Sequence, residues 1–313
     1  MPRQLLAYLQ LLRLPNVFTA IADVTMGYLV TQVAFPYQDR SASLMVPFLL
    51  LLATSVCLYL AGMVLNDLFD VEIDRKERPQ RPLPSGRISL RSAAVLGYLL
   101  LIGGVIAGWL ATWWSGDLRC GIVATLLAAA VFLYNRVIKQ TCLGPVNMGS
   151  CRLLNVLLGM STASGSWHTW HWLVAGGIGV YITGVTWFAR DEAGISRRLQ
   201  LFLATGVMWV AFAMLAWSMH FMPLTEALLL PRLDPTRWYL MWLILGVIIS
   251  HRCWLAVREP TAKHVQVAVR QCIFSLVMLD TVACYAIRDL EGALLILPLL
   301  IPTMFLGRFI YAT

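Results

Sequence analysis

Residues 43–75 read SLMVPFLLLLATSVCLYLAGMVLNDLFDVEIDR, an apolar block long enough to cross a bilayer that ends in acidic and amide side chains. Similar apolar blocks recur along the whole chain of 313 residues, which is 59% hydrophobic and only 13% charged. A soluble domain carries about 25% charged residues and has shorter, interrupted apolar faces. The composition therefore excludes an ordinary soluble enzyme and predicts an all-α, polytopic membrane protein.

The apolar blocks predict ten membrane spans, although nine also fit the pattern. We place them at residues 16–35, 43–66, 91–113, 118–137, 146–163, 171–189, 200–221, 237–256, 265–287 and 292–310. Arg270, Gln271 and Asp280 interrupt the ninth span. Residues 3–13 form a short amphipathic stretch, typical of an interfacial helix. The longest polar stretch, 67–90, is too short to hold a core, so residues 1–313 are predicted to form a single membrane domain.

The basic residues predict the orientation of the chain and exclude nucleic acid as a partner. With the N-terminus inside, seventeen Lys and Arg residues fall on the cytoplasmic side and five on the opposite side, as the positive-inside rule expects. They lie in short clusters between apolar blocks and not on one continuous basic face. We therefore predict a multi-pass membrane protein, in contact with membrane lipids, with both termini and the acidic loops cytoplasmic. We expect the membrane to be a prokaryotic plasma (inner) membrane, which the charge distribution by itself does not specify.

The acidic end of the second span is the first candidate site. Asn66, Asp70 and Asp74 recur every four residues and share one face if the helix continues. Oxygen-bearing side chains stacked in this way repel one another unless a cation neutralises them, and such hard ligands suit Mg²⁺. The basic residues from Arg75 to Arg87 supply cations for phosphate oxygens. The competing interpretation is a solvated linker, but the register at a membrane boundary favours a metal site.

A second acidic insert follows the sixth span on the same predicted side of the membrane. Asp191 and Glu192 stand next to each other at the mouth of a helix. They can complete a second metal site that faces the first. A solvated connection between two helices explains the same residues equally well.

Four polar residues within the apolar blocks are expensive in hydrocarbon unless they face a cavity or a partner. Arg152 and Asn155 lie one helical turn apart in the fifth span, which favours a role in a cavity. For Asp23 and Asp280, a structural pair, either with each other or with Arg270, explains the residues at least as well as a role in a cavity.

The acidic motif and its surroundings resemble the UbiA superfamily of intramembrane prenyltransferases. The resemblance rests on Asn66-Asp67-x-x-Asp70-x-x-x-Asp74, followed by Arg81-Pro82-Leu83-x-x-Gly86-x-Ile88-Ser89. Further matches are Arg13-Leu14-Pro15-Asn16 before the first span, Tyr134-Asn135 with Lys139 after the fourth, and Cys151-Arg152-Leu153-Leu154-Asn155 in the fifth. The resemblance covers most of the chain to about residue 220.

The resemblance implies a helical bundle around a central cavity, in which two acidic caps hold Mg²⁺ against a prenyl diphosphate. It assigns metal binding to Asn66, Asp67, Asp70, Asp74, Asp191 and Glu192, and catalysis to Asp70, Asp74 and Asp191. The residues expected to bind substrate are Asn16, Arg75, Tyr134, Arg136, Lys139, Arg152 and Asn155. It also implies a small hydrophobic acceptor, aromatic or lipid-like, in a chamber dry enough that the acceptor and not water captures the allylic cation.

The second acidic insert departs from the family pattern. It reads Ala189-Arg190-Asp191-Glu192-Ala193, with alanine at both outer positions, where family members usually carry aspartate. Fewer carboxylates should weaken a second metal ion and the transition state that it stabilises. Two functions therefore stay open: a Mg²⁺-dependent prenyltransferase, or a catalytically reduced relative that binds or transports an isoprenoid or hydrophobic metabolite. An ion-coupled transporter that uses Asp23 and Asp280 would need inverted repeats or broken helices, and the sequence shows neither.

Overall fold

The computed structural model describes residues 3–31, 41–163, 165–192, 194, 196–222 and 234–310, and the regular structure within these ranges is helical throughout. In chain order, the α-helices are α1 (Arg3–Leu11), α2 (Val17–Thr31), α3 (Ser41–Phe69), α4 (Val71–Glu77), α5 (Leu90–Ser115), α6 (Leu118–Arg136), α7 (Gly144–Met160), α8 (Thr169–Phe188), α9 (Arg198–Trp217), α10 (Pro235–Arg258), α11 (Ala262–Ile296) and α12 (Leu300–Ile310). The all-α prediction is confirmed.

The number of membrane spans differs from the prediction. Among the described residues, seven helical segments are long and apolar enough to cross a membrane, or eight if the bent pair Gln4–Leu11 and Leu14–Thr31 counts as one span. The predicted count of ten, or nine, is not confirmed. The fifth predicted span corresponds to α7, which has only 17 residues and includes Arg152 and Asn155. Residues 32–35 of the first predicted span lie outside the described residues, as do Ala193 of the second acidic insert and two of the basic residues used for the orientation, Arg40 and Arg232.

The irregular ninth span ends at a break in α11. Asp289 has a φ of 54° and a ψ of −153° within this helix, a non-helical conformation that interrupts a regular helical path. The apolar segment Ile287–Gly307 then qualifies as a span separate from Ala262–Tyr285. This division agrees with the predicted boundary between residues 287 and 292.

Glycine residues bring α2 and α7 into close backbone contact. A Cβ atom on Gly159 would overlap the carbonyl oxygen of Val24, and a Cβ atom on Gly27 would overlap that of Val156. Membrane helices commonly associate through small residues that allow such an approach. The contact places the polar side chains of α2 directly beside those of α7.

The N-terminal amphipathic segment packs on the polar stretch that follows α4. Ala7 and Leu11 of α1 are buried in one apolar cluster with Leu83 and Ile88 of that stretch and Val64 of α3. The predicted interfacial helix thus covers the turn-rich segment. The C-terminal end of α1 leads the chain towards the acidic end of α3.

Candidate active site

A cavity of about 750 Å³ opens among α2, α3, α6, α7, α8 and α11. Side chains of the two acidic segments and of several basic residues line one part of it. Much of the remaining wall is apolar and includes Leu127, Val131, Ile182, Val185 and Leu276. The predicted central cavity is therefore present, with a charged region next to an apolar one.

The first acidic motif keeps a helical register although α3 ends at Phe69. The Asp70 N–H donates to the Asn66 carbonyl at 3.0 Å, and the Asp74 N–H donates to the Asp70 carbonyl at 2.8 Å. These bonds continue the i, i+4 path across the junction between α3 and α4. As a result, Asn66, Asp70 and Asp74 all line the cavity, as their spacing predicts.

Basic side chains from three other parts of the chain neutralise this motif. Lys139 Nζ lies 2.7 Å from Asn66 Oδ1 and contacts the Asp70 carboxylate. Arg81 Nη1 lies 2.7 Å from Asp74 Oδ2, and Arg13 Nη2 lies 2.7 Å from Asp67 Oδ1. The neighbouring carboxylates would repel one another if they were unpaired. These partly buried cations offset that repulsion.

The second acidic insert lies at the same cavity. Asp191 and Glu192 both line it, together with Asn66, Asp70 and Asp74 of the first motif. Burial raises the pKa of Glu192, while the positive charges of Arg78, Arg13 and Arg81 act in the lowering direction. Arg190 Nη2 donates to the Gln140 carbonyl at 3.3 Å, which links the loops after α6 and α8. The two acidic segments that the sequence separates by more than a hundred residues therefore share one chamber.

A polar cluster lies where α2, α3 and α7 meet. Arg152 Nη1 lies 2.7 Å from Asp23 Oδ2. Asn155 Nδ2 donates to the carbonyl of Ala20 at 2.9 Å, and Ser55 Oγ donates to Asn155 Oδ1 at 2.7 Å. Arg152 and Asn155 also line the cavity, so the ion pair and the cavity position, which the sequence presented as alternatives, occur together.

Three residues of the predicted site do not line the cavity. Asp67 is 3% exposed and forms an ion pair with Arg13 outside the cavity lining. Arg75 is exposed and bonds Glu72 at 2.6 Å. Arg136 is exposed, with its guanidinium 5.4 Å from the centre of the Phe69 ring. Helix rotation explains these placements, because neighbouring residues on a helix point about 100° apart. The placement gives no support to direct contact of these three side chains with a ligand in the cavity.

Tyr134 and Asn16, two other predicted substrate-binding residues, do line the cavity. Arg78 and Arg81, two of the basic residues expected to supply cations for phosphate oxygens, line it as well, whereas sequence reasoning assigned no ligand contact to the lining residues Arg13, Ser55 and Tyr59. Ser55 and Tyr59 lie eleven and seven residues before Asn66. They could have been found by extending the same helical face backwards along α3.

Arg13 has a φ of 45°, a left-handed conformation that is rare for a residue with a side chain. It stands between α1 and the turn at Leu14–Asn16. Such strained residues persist where surrounding contacts hold them, and here the ion pair with Asp67 is one of those contacts. The conformation turns the Arg13 side chain towards the acidic motif.

The oxygen ligands fit a metal ion that is shared with a phosphate. Among the described residues, no three His, Cys, Asp or Glu side chains form a metal-binding group on their own. Mg²⁺, however, commonly uses one or two carboxylates and completes its shell with phosphate oxygens and water. Asn66 Oδ1 and the Asp70 carboxylate already share a cation, the Lys139 ammonium group. These two oxygens therefore suit a cation that arrives together with a phosphate.

A model of the UbiA prenyltransferase family matches residues 26–274 of the chain, a range that includes both acidic segments. The chain belongs to the UbiA prenyltransferase family. The UbiA match also contains Lys139, Arg152 and Asn155, whereas Asp23 and Asp280 lie outside it.

Curated relatives of this UbiA-family chain carry one recurrent name. The chain is 33% identical over 165 residues to a digeranylgeranylglyceryl phosphate synthase of Sulfurisphaera tokodaii. The aligned residues cover 51% of this chain and 54% of the relative. The chain is 43% identical over 103 residues to the synthase of the same name from Methanocaldococcus jannaschii. The aligned residues cover 33% of this chain and 34% of the relative. The matched region thus spans about half or less of the length of these relatives.

Solved structures share the UbiA fold with this chain. A structure described in connection with digeranylgeranylglyceryl phosphate synthase in membranes superposes with a TM-score of 0.61 at 21% identity, over 92% of this chain and 99% of the other. A UbiA homolog from Archaeoglobus fulgidus bound to DMAPP and Mg²⁺ gives a TM-score of 0.58 at 14% identity, over 88% and 99% of the two chains. At these identities the similarity establishes the fold alone.

Proposed function

We propose that the protein is a Mg²⁺-dependent prenyltransferase that moves an isoprenoid chain from its diphosphate to a hydroxyl group of a glycerol phosphate lipid. The observation that carries the proposal is that Asn66, Asp70, Asp74, Asp191 and Glu192 line one cavity together with Lys139 and Arg78. The names of the curated relatives favour a lipid-like acceptor over an aromatic one.

The charged side chains of the cavity suit the leaving group of this reaction. When the carbon–oxygen bond of the prenyl diphosphate breaks, negative charge develops on pyrophosphate, and fixed cations stabilise it. Lys139, Arg78 and Arg81 are proposed to bind the phosphate oxygens. Asn66, Asp70, Asp74, Asp191 and Glu192 would hold Mg²⁺, which supplies further positive charge to the diphosphate.

The apolar wall suits the electron-deficient prenyl group. An allylic carbon that has lost its diphosphate reacts with water unless water is excluded. Leu127, Val131, Ile182 and Leu276 supply such a surface next to the charged part of the cavity. The oxygen of the acceptor hydroxyl then bonds to this carbon, and the hydroxyl proton leaves with pyrophosphate or water.

Asp67, Arg75 and Arg136 are assigned no ligand contact in this proposal. Asp67 is proposed to hold Arg13 and Arg81 in place, since both guanidinium groups lie within 3.6 Å of its Oδ1 atom. The proposed orientation puts the acidic segments on the cytoplasmic side of a prokaryotic plasma membrane.

The decisive experiment is the binding of geranylgeranyl diphosphate to the full chain in lipid nanodiscs, with and without Mg²⁺. We compare the wild type with Asp70→Asn and with Glu72→Gln. Glu72 is a matched control because it lies two residues from Asp70 but its side chain is 76% exposed and outside the cavity. Mg²⁺-dependent binding that Asp70→Asn abolishes and Glu72→Gln preserves is the expected result; metal-independent binding in the wild type contradicts the proposal.

Product formation then separates the prenyltransferase from the catalytically reduced alternative. That alternative has a specific basis, because Ala189 lines the cavity at a position where family members usually carry a carboxylate. Geranylgeranylglyceryl phosphate and a hydroxylated aromatic acid are offered as acceptors in parallel. We expect prenylated product from the lipid acceptor; Mg²⁺-dependent binding without product from either acceptor would favour the reduced protein.

A further inference from the structure

Asp23 on α2 and Asp280 on α11 form a buried carboxyl pair beside the cavity. Both residues are 0% exposed, and the two carboxyl groups lie within hydrogen-bonding reach of each other. In the part of the chain that the structure describes, Asp23 Oδ1 and both carboxyl oxygens of Asp280 have no hydrogen-bond donor. Both positions lie outside residues 26–274, the range that the family model matches.

The charges around this pair require one proton. The charged groups that act on Asp280 are Asp23 on α2 and Arg152 on α7. Two ionised carboxylates and one guanidinium would leave a net negative charge in a dry interior, and the two facing carboxylates would repel each other. A proton on Asp280 resolves both problems, because its O–H group can donate to Asp23 Oδ1 and the cluster becomes neutral.

Asp23 in turn holds Arg152. Asp23 Oδ2 accepts hydrogen bonds from Arg152 Nη1 at 2.7 Å and from Asn155 Nδ2 at 3.1 Å. Arg152 Nη2 donates to Thr19 Oγ1 at 2.8 Å. The two Arg152 bonds use two of the five guanidinium N–H donors, and Arg152 is one of the residues that line the cavity.

We propose that Asp280 is a positioning residue that retains a proton, fixes Asp23 through it, and so presents Arg152 to the anionic head group of the acceptor. The inference rests on the proposed function, since it names the group that Arg152 binds. A neutral cluster allows Arg152 to attract an anion. With Asp280 ionised, the same cluster would carry a negative charge and repel a phosphate or carboxylate.

The test uses the full chain in lipid nanodiscs and the variants Asp280→Asn, Asp280→Ala and Asp289→Asn. The Asp280→Asn variant would keep a neutral donor towards Asp23, whereas Asp280→Ala removes it. Asp289 is the matched control, because it is an exposed carboxylate at the break in the same helix, and asparagine shares with aspartate the enrichment at positive φ. Infrared difference spectra report a protonated carboxylic acid through its carbonyl stretch, and titration with geranylgeranylglyceryl phosphate in the absence of prenyl diphosphate reports the acceptor Kd.

The expected result has two parts. A carboxylic acid band disappears in Asp280→Asn and persists in Asp289→Asn. The acceptor Kd rises about tenfold in Asp280→Ala, as expected for weakened binding to a charged group, and stays near the wild-type value in Asp280→Asn. The Kd for prenyl diphosphate does not change in either variant, because its binding residues belong to a different part of the cavity.

Absence of the carboxylic acid band in the wild type overturns the proposal. So does an acceptor Kd that is unchanged in Asp280→Ala, equally raised in both Asp280 variants, or unmeasurable in the wild type. The proposed function is tested separately, by Mg²⁺-dependent binding of prenyl diphosphate and by product formation. Its failure can therefore be distinguished from failure of the inference about Asp280. A thermal unfolding scan of each variant shows whether Asp280→Ala folds; where it does not, Asp280→Leu, which removes the donor but fills the space, replaces it in the comparison of acceptor Kd values.

Discussion

Lys139 bridges Asn66 and Asp70. Its ammonium group lies 2.7 Å from Asn66 Oδ1 and also contacts the Asp70 carboxylate. Lys139 stands in the turn after α6, 73 residues from Asn66 along the chain, so the bundle itself supplies a counter-ion to the acidic motif. A divalent cation that binds the same oxygens has to displace this group, and the displaced ammonium is then free to bind phosphate.

Replacing Lys139 by glutamine should separate metal binding from diphosphate binding. Without the internal cation, Asp70 is free, and we expect Mn²⁺ to bind more tightly in the absence of substrate. Turnover should fall about 100-fold, because a fixed cation at the leaving group is lost. Paramagnetic resonance measures free Mn²⁺, and a product assay measures turnover. Lys263→Gln is the control, since Lys263 is exposed at the start of α11; weaker Mn²⁺ binding in Lys139→Gln would contradict the bridging role.

Asp67 and Asp70 should respond differently to the same substitution. Asp67→Asn removes the charge that pairs with Arg13, and we expect the free energy of unfolding to fall by about 1–3 kcal/mol. Prenyl diphosphate should still bind in a Mg²⁺-dependent manner, because Asp67 does not line the cavity. Asp70→Asn should have the opposite profile, with lost binding and little change in stability. Equal loss of binding in both variants would contradict the different roles assigned to Asp67 and Asp70.

Gly159 should not tolerate a methyl group. A Cβ atom there would overlap Val24 O and lie 2.9 Å from Tyr28 N, and both are backbone atoms that cannot rotate away. We expect Gly159→Ala to lower the free energy of unfolding by about 2 kcal/mol or more. Gly103→Ala is the matched control, because no atom lies within 4 Å of its added Cβ, and it should be neutral or slightly stabilising. Denaturation in mixed micelles compares the two variants.

Asp117 should contribute stability that depends on pH. Burial acts to raise the pKa of Asp117, but hydrogen bonds and the charge of Arg119 outweigh it and hold the pKa below its ordinary value of 3.8. The carboxylate accepts from the Arg119 N–H at 2.9 Å and so caps α6. The stabilisation is therefore complete at neutral pH and is lost as the pH falls below about 4.

Asp117→Ala should cost about 1 kcal/mol at neutral pH, the usual value for a lost N-cap. Thermal unfolding of the wild type and the variant, followed from pH 7 into the acid range, tests this. The difference between their midpoints should shrink as Asp117 becomes protonated. A constant difference across that range would show that the charge of Asp117 contributes nothing.

Much of the fold and part of the site could be predicted from local pattern. The spacing of Asn66, Asp70 and Asp74 placed three side chains on one face, and backbone hydrogen bonds continue that face across the end of α3. The same spacing rule excludes Asp67, which lies one position from Asn66 and points to a different side. Its inclusion came from the resemblance to the family signature, in which it is a motif position, and not from the helical register.

The remainder of the site depends on tertiary packing. The pair formed by Asp23 and Arg152 joins residues 129 positions apart, and a single sequence holds no signal for such a partnership. Arg136 and Lys139 are both basic and three positions apart, yet only Lys139 lines the cavity. The turn at Ile138–Gln140 changes the direction of the chain between them, and charge composition does not report this change.

The glycine contact between α2 and α7 bears on how this enzyme family can change its acceptor. Backbone pressed against backbone leaves these two helices no room to shift, so the polar wall that they form behaves as a rigid template. Under the proposed function, new acceptor preferences are then reached by exchanging individual side chains on that template, such as Ala20 of α2 or Asn155 of α7, which both line the cavity, and not by moving the helices. Directed evolution towards a different acceptor should accordingly collect substitutions on the cavity face and leave Gly27 and Gly159 unchanged.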